Sequence, residues 1–166
     1  MNIAIMGFRG TGKTTVCRLL AGKLDRKLIL TEEEILKKTG SIPKYVKKYG
    51  WDKFREIESE VMEKLSDFDD RIFDVSGDIV MRNENMIGLK KNSVVILLTA
   101  DLRTIENRLK NKNVTDSYDY ADEIKEFFQE RETKYKKSAD YTIDTSSLSP
   151  DEVCELVMHY MELEMH

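Results

Sequence analysis

Gly7-Phe8-Arg9-Gly10-Thr11-Gly12-Lys13-Thr14 fits the spacing G-x-x-x-x-G-K-[ST], the pattern of a loop that wraps backbone N–H groups around a phosphate. That chemistry needs these residue types. Glycines let the chain bend so that successive amides and a following helix N-terminus face an anion. Lys13 adds a mobile positive charge for the β- and γ-phosphates, and the Thr14 hydroxyl is placed to ligate Mg²⁺. The expected nucleotide cradle is Gly7, Arg9, Gly10, Thr11, Gly12, Lys13, Thr14 and Thr15, with Lys13 also the catalytic cation. ATP and Mg²⁺ are the expected cofactors.

The flanks suit that use. Asn2-Ile3-Ala4-Ile5-Met6 is a short apolar run for a buried strand. Beyond the loop, Cys17, Leu20, Ala21 and Leu24 recur at i, i+3, i+4 and i+7, one stripe of a helix. Helical and strand patterns then alternate to the end of the chain. Leu28-Ile29-Leu30 reads as a second strand, and a helix follows from near Glu32 until Gly40-Ser41-Ile42-Pro43 breaks it. Phe54, Ile57, Val61 and Leu65 share a further helical stripe. Ile72-Phe73-Asp74-Val75 reads as a third strand. The continuously apolar Val94-Val95-Ile96-Leu97-Leu98 reads as a central one covered on both faces. Tyr141-Thr142-Ile143 is a short last strand. Ser149-Pro150-Asp151-Glu152 opens the final helix with a cap serine, a proline at the first position and a capping-box glutamate. Such alternation implies a parallel sheet with helices on both sides. Asn111 to Tyr120 is polar and weakly periodic, the best place for a functional loop.

In sheets of this kind a ligand sits beyond the carboxyl ends of the strands. Asp74, at the end of the third strand, is where a second magnesium-binding carboxylate belongs; the plain alternative is an aspartate bonding to nearby backbone. Glu32 is the candidate base for an acceptor hydroxyl, or else one of three glutamates favouring a helix start. Arg55 and Arg131 suit a carboxylate substrate, since the guanidinium fork matches it. Arg55 is equally able to pair with Glu58 at i,i+3, and Arg131 to be a surface charge.

Composition narrows the class. The chain has 166 residues, 40% hydrophobic and 35% charged, with net charge −4, which fits one domain over residues 1–166 and argues against general nucleic-acid affinity. No apolar run approaches the roughly 20 residues of a membrane span. A strand at the very start leaves no room for a signal peptide, so a cytoplasmic protein is expected. Cys17 and Cys154 lack metal or redox spacing, and Cys17 lies on an apolar stripe, so reduced thiols are expected. From Lys37 to Arg55 there are seven basic residues against Asp52 alone. That segment lies beside the phosphate loop and suits an anionic second substrate.

Together these residues resemble the shikimate kinase family along essentially the whole chain. Thr31-Glu32-Glu33-Glu34-Ile35 resembles its Asp-Thr-Asp-x-x-Ile segment. Gly40-Ser41-Ile42 with Gly50, Phe54, Arg55 and Glu58 is similar to its G-x-S-I and G-E-x-x-F-R-x-x-E stretches. Arg131, Tyr135, Ala139 and Asp140 follow its R-x-x-x-Y-x-x-x-A-D. The resemblance implies a P-loop three-layer α/β/α fold with a five-stranded parallel sheet of order 2-3-1-4-5. It also implies substrate-binding helices over about 31–65 and a lid over about 110–120. By the same resemblance Glu32 activates the acceptor, Arg55, Arg131 and Gly77 bind substrate, and Arg108 packs on adenine. The implied reaction is ATP-dependent phosphorylation of the shikimate 3-hydroxyl in aromatic amino-acid synthesis. The implied partners are ATP, ADP and a small anionic hydroxylated substrate, without nucleic acid or membrane, in a monomer.

The chain departs from that pattern at defined places. Leu30 replaces the first aspartate of Asp-Thr-Asp, and Glu32 lengthens the second. The family's Gly-Gly-Gly turn reads Ser76-Gly77-Asp78, and its lid Arg-Pro-Leu reads Thr115-Asp116-Ser117, with Lys110 and Lys112 the cations near by. Trp51 stands where a glutamate follows the glycine. Asp74 sits where the family usually has a small residue, restoring a carboxylate for the metal. Two other readings stay open on the residues: a kinase for another hydroxylated acid, nucleoside or nucleotide, and a nucleotide-binding regulator without acceptor chemistry.

Overall fold

The computed structural model describes residues 1–8, 10–76, 79–80, 82–111 and 131–166. Arg9, Gly77, Asp78 and Lys112, with the lid beyond residue 111, are expectations that lie outside them. Five parallel strands form one sheet: β1 (Asn2–Gly7), β2 (Lys27–Leu30), β3 (Arg71–Asp74), β4 (Ser93–Thr99) and β5 (Tyr141–Asp144). Their order is β2-β3-β1-β4-β5, as the resemblance implied. β1 is buried at every position and β4 at all but Thr99, which is why both read as unbroken apolar runs.

Side-chain alternation divides the core. Ala4, Met6, Phe73, Val95 and Leu97 face one layer, with α2 (Thr31–Thr39), α4 (Trp51–Leu65) and α5 (Asn83–Lys90). Ile3, Ile5, Ile72, Ile96 and Leu98 face the other, covered by α1 (Lys13–Leu24) and α8 (Pro150–Met165). A period of two along each strand sends consecutive residues to opposite layers. Burial of each large apolar side chain contributes about 1.5–3 kcal/mol. α6 (Leu102–Asn111) follows β4, with Asp101 accepting from Thr104 N at 2.8 Å. Residues 131–138 are helical (α7) and place Tyr135 in the first layer.

The final helix starts as expected, with Ser149 and Glu152 forming a complete capping box. The sequence pattern marks no residues for α5, α6 or α7, and it predicts a break where another helix begins. Gly40 does end α2, but Ser41 and Pro43 then start a new helix, α3 (Ile42–Tyr49), with the Ser41 side chain accepting from Lys44 N. Proline near a helix start is tolerated because its missing N–H has no intrahelical partner there. The third strand also stops one residue earlier than expected, although Val75 N still donates to Ile5 O at 2.9 Å.

Candidate active site

β1 ends at Gly7 in close contact with β4. A Cβ at Gly7 would stand 2.4 Å from the Leu98 carbonyl oxygen, so only glycine lets the two strand ends approach this far. The chain then doubles back, with both the amide and hydroxyl of Thr11 donating to Phe8 O. Gly12, at φ 87°, caps α1 without a side-chain bond. The first-turn amides of a helix have no intrahelical acceptor, so the start of α1 is left to an anion.

Two side chains from that turn meet the end of β3. Thr14 Oγ1 donates to Asp74 Oδ2 at 2.7 Å. Lys13 Nζ lies 3.7 Å from Asp74 Oδ1 and donates to Val75 O at 3.1 Å. Asp74 is 7% exposed, a carboxylate that burial would penalise without these partners. Thr31 fixes the strand end beneath it: its buried hydroxyl donates to Asp74 O at 3.0 Å and accepts from Ser76 N at 2.8 Å. Thr15 is exposed on the same helical turn.

The other expected residues spread over the layer of α2, α4 and α7. Glu32 is exposed in the first turn of α2. Arg55 NH1 donates to Glu58 Oε1 at 2.5 Å, and Glu58 is 1% exposed. The ion pair foreseen from i,i+3 spacing therefore exists, and it anchors the arginine from below. The Arg55 guanidinium also lies 5.4 Å from the Trp51 ring centroid and 5.7 Å from that of Phe54, within cation–π range. Arg131 opens the described part of α7, one turn before Tyr135, which shares the apolar cluster of Phe54. The two arginines thus sit on helices packed into one layer. Asp140, from the same sequence segment, is structural: it accepts from Val95 N at 2.8 Å and pairs with Lys90.

Arg108, expected against an adenine ring, reaches the phosphate loop. It donates to Gly10 O, Thr145 Oγ1 and Thr145 O, each at 3.1 Å. The tasks of Thr31 and Thr145 were missed in the sequence: Thr31 lies in the segment that resembles Asp-Thr-Asp but was given no role, and Thr145 fits no motif. Cys17 lies behind the site in the core. Burial, and then the Asp74 charge, push its thiol well above the usual range, which keeps it protonated, as expected of a reduced core thiol.

The arrangement is a phosphate cradle with an oxygen-donor pair, and Arg55 and Arg131 sit on helices whose Phe54 and Tyr135 share one apolar cluster. The sequence pattern of the family described as "Shikimate kinase" matches residues 9–162. The chain belongs to the shikimate kinase family. It is 38% identical over 165 residues to the shikimate kinase of Thermodesulfovibrio yellowstonii, covering 97% of this chain and 95% of that one. It is 36% identical over 169 residues to that of Caldanaerobacter subterraneus, covering 98% of each. Among solved structures, shikimate kinase from Acinetobacter baumannii in complex with shikimate superposes with a TM-score of 0.82 at 26% identity, covering 99% of this chain and 92% of that one. The Aquifex aeolicus shikimate kinase gives 0.81 at 28% identity, with 99% and 98% coverage. As a shikimate kinase relative, the protein is an ATP-dependent phosphotransferase with a hydroxyl acceptor. Its helices include none, among the described residues, long and apolar enough to cross a membrane.

Proposed function

We infer that this protein transfers the γ-phosphoryl group of ATP to a hydroxyl of shikimate. The observation that carries the reading is the contact of Thr14 and Lys13 with Asp74 at the carboxyl end of the sheet, joined to family membership over nearly the whole chain. It is favoured over a nucleotide kinase or a catalytically silent regulator, because relatives 38% identical over 97% of the chain are shikimate kinases.

The donor chemistry fits magnesium. Thr14 Oγ1 and Asp74 Oδ2 are 2.7 Å apart, close to the roughly 2.9 Å between adjacent oxygens on an octahedral Mg²⁺ with 2.0–2.1 Å bonds. Among the described residues no group of three acidic, histidine or cysteine side chains could cage a metal. That suits an ion completed by phosphate oxygens and water. Bound there, Mg²⁺ would neutralise charge on the β- and γ-phosphates.

The chain's own residues do the rest. Loop amides and Lys13 orient the polyphosphate. Arg55, held by Glu58, and Arg131 grip the substrate carboxylate, and Gly77 is the further substrate-binding residue of this reading. Glu32 accepts the proton as the acceptor oxygen bonds to phosphorus and the bond to the β–γ bridging oxygen breaks, releasing ADP. Arg108 borders the adenine. The protein works as a cytoplasmic monomer. The test is coupled ADP release with shikimate, related hydroxy-acids and mononucleotides as acceptors. Shikimate is expected to give the highest kcat/KM; ADP release that no acceptor stimulates overturns the reading.

A further inference from the structure

A loop that presents amides to an anion must also dispose of its carbonyls. Each trans peptide sets C=O and N–H in opposite directions, so every amide turned inward leaves a carbonyl turned outward that needs a donor. In this loop the donors can be named. Phe8 O receives Thr11 N and Thr11 Oγ1. Gly12 O receives Val16 N at 3.1 Å within α1. Gly10 O receives Arg108 NH1. Thr11 O is reached by Thr145 Oγ1, at 3.3 Å.

Thr145 is well built for that task. It follows β5 directly and is 3% exposed. Its amide donates to Thr99 O at 2.7 Å, which fixes its backbone to the end of β4. Its hydroxyl accepts from Arg108 NH1 and lies 3.0 Å from Thr99 O as well as 3.3 Å from Thr11 O. A hydroxyl has one proton to give. Thr99 O already has the Thr145 amide, so the Thr11 carbonyl is the acceptor that depends on that proton. Arg108 reinforces the link by donating to both Gly10 O and Thr145 O. α6 also packs directly on the loop: a Cβ at Gly10 would meet Ile105 Cγ2 and Ile105 O at 3.2 Å.

We propose that Thr145 is a positioning residue for phosphate binding: it holds the Thr11 carbonyl outward, which aims the Gly12 amide at the polyphosphate, while Arg108 ties Thr145 to Gly10 O of the same loop. The inference rests on ATP as the phosphoryl donor. It assigns the segment after β5 a task on the phosphate loop, separate from any contact with the base.

The experiment compares Thr145→Val, which keeps shape and loses the hydroxyl, with Thr145→Ser, which keeps the hydroxyl. KM for ATP, KM for shikimate and Ki of magnesium tripolyphosphate against ATP are measured for both and for the parent. The parent's shikimate-dependent activity tests the function separately. Thr145→Val is expected to raise KM for ATP and Ki for tripolyphosphate by the same factor, about tenfold, with KM for shikimate within twofold. Thr145→Ser is expected to recover most of both. A base-contact role would move KM for ATP and leave tripolyphosphate unchanged, which overturns the proposal. So would equal rises in both substrate KM values, or a serine variant no better than valine. If Thr145→Val does not fold, Arg108→Lys with the same three readouts decides, since a compact ammonium lacks the spread fork whose two nitrogens reach Gly10 O and both Thr145 oxygens.

Discussion

Replacing Asp74 by asparagine tests the proposed metal role of this residue without changing the shape of its side chain. Asparagine keeps the shape and an acceptor for Thr14 Oγ1, now at 2.7 Å from the carboxylate, and removes one negative charge. Two effects on the ligand-free protein oppose each other. The attraction of Lys13 at 3.7 Å is about 4.5 kcal/mol at an effective dielectric constant near 20. The desolvation penalty of a carboxylate this buried is several kcal/mol and is relieved. Asparagine leaves Lys13 without its counter-charge, so stability should fall by no more than about 3–5 kcal/mol, the loss typical when one partner of a buried pair is removed. Magnesium feels no such cancellation, because a neutral amide replaces an anion beside its threonine donor. The expected result is a rise of about 10–100-fold in the Mg²⁺ concentration giving half-maximal velocity, the range typical when a partner of a metal ligand is lost. Initial rates against Mg²⁺ at fixed ATP and shikimate measure it, with thermal unfolding as the control. The register supplies a second arm. Leu30 pairs with Asp74 across β2 and β3, so adding Leu30→Asp to the Asp74→Asn variant puts a carboxylate one strand away, about 4.8 Å, on the same face. Partial recovery of Mg²⁺ affinity is expected. An unchanged Mg²⁺ dependence in Asp74→Asn would refute the reasoning, whatever the double variant does.

Arg55→Lys should raise KM for shikimate by about 10–100-fold while KM for ATP stays within twofold, because a point charge cannot replace a guanidinium fork at a carboxylate; steady-state kinetics with each substrate varied checks it. Trp51 is the sole tryptophan and lies 5.4 Å from the Arg55 guanidinium, so shikimate should change intrinsic fluorescence saturably in the parent and not in Arg55→Ala. Ser149→Ala should lower stability by about 0.5–2 kcal/mol through loss of the α8 cap, read by urea unfolding at pH 7. The same variant has a pH signature. Hydrogen bonds from the Ser149 backbone and then its side chain hold the Glu152 carboxyl below its ordinary value. The unfolded chain therefore binds that proton first as pH falls. The stabilisation is fully present above the ordinary glutamate range and is lost as pH drops through the lowered folded value. The gap between parent and Ser149→Ala should accordingly narrow in acid.

The strands were legible because β1 and β4 are buried on both faces, which leaves a continuous apolar signature. α8 was legible because its start is written in four consecutive residues. α3 was not: Ile42, Tyr45 and Val46 are only partly buried, so the apolar stripe is faint, and Pro43 signals an end as readily as a beginning. In the site, Lys13, Thr14 and Asp74 could be named because loop spacing and strand ends place them. Their meeting could be stated only once the parallel pairing of β1 with β3 was known. The link between Arg55 and Glu58 was visible as helical spacing, whereas the Trp51 face depended on side-chain direction. Thr31 and Thr145 act by tying distant backbone together over separations of 43 and 134 residues, and no local pattern encodes such partners.

The weak anchoring of α3 has a consequence for motion. Its eight residues include none that is buried, and it joins the two helices that carry Glu32 and Arg55, proposed above to meet the acceptor. Opening such a segment exposes little apolar surface and therefore needs only a small free-energy fluctuation. Deuterium should enter its amides well before those of β1 or β4. Shikimate held by Glu32 and Arg55, as proposed, would slow that uptake, giving a label-based report of acceptor binding that requires no turnover.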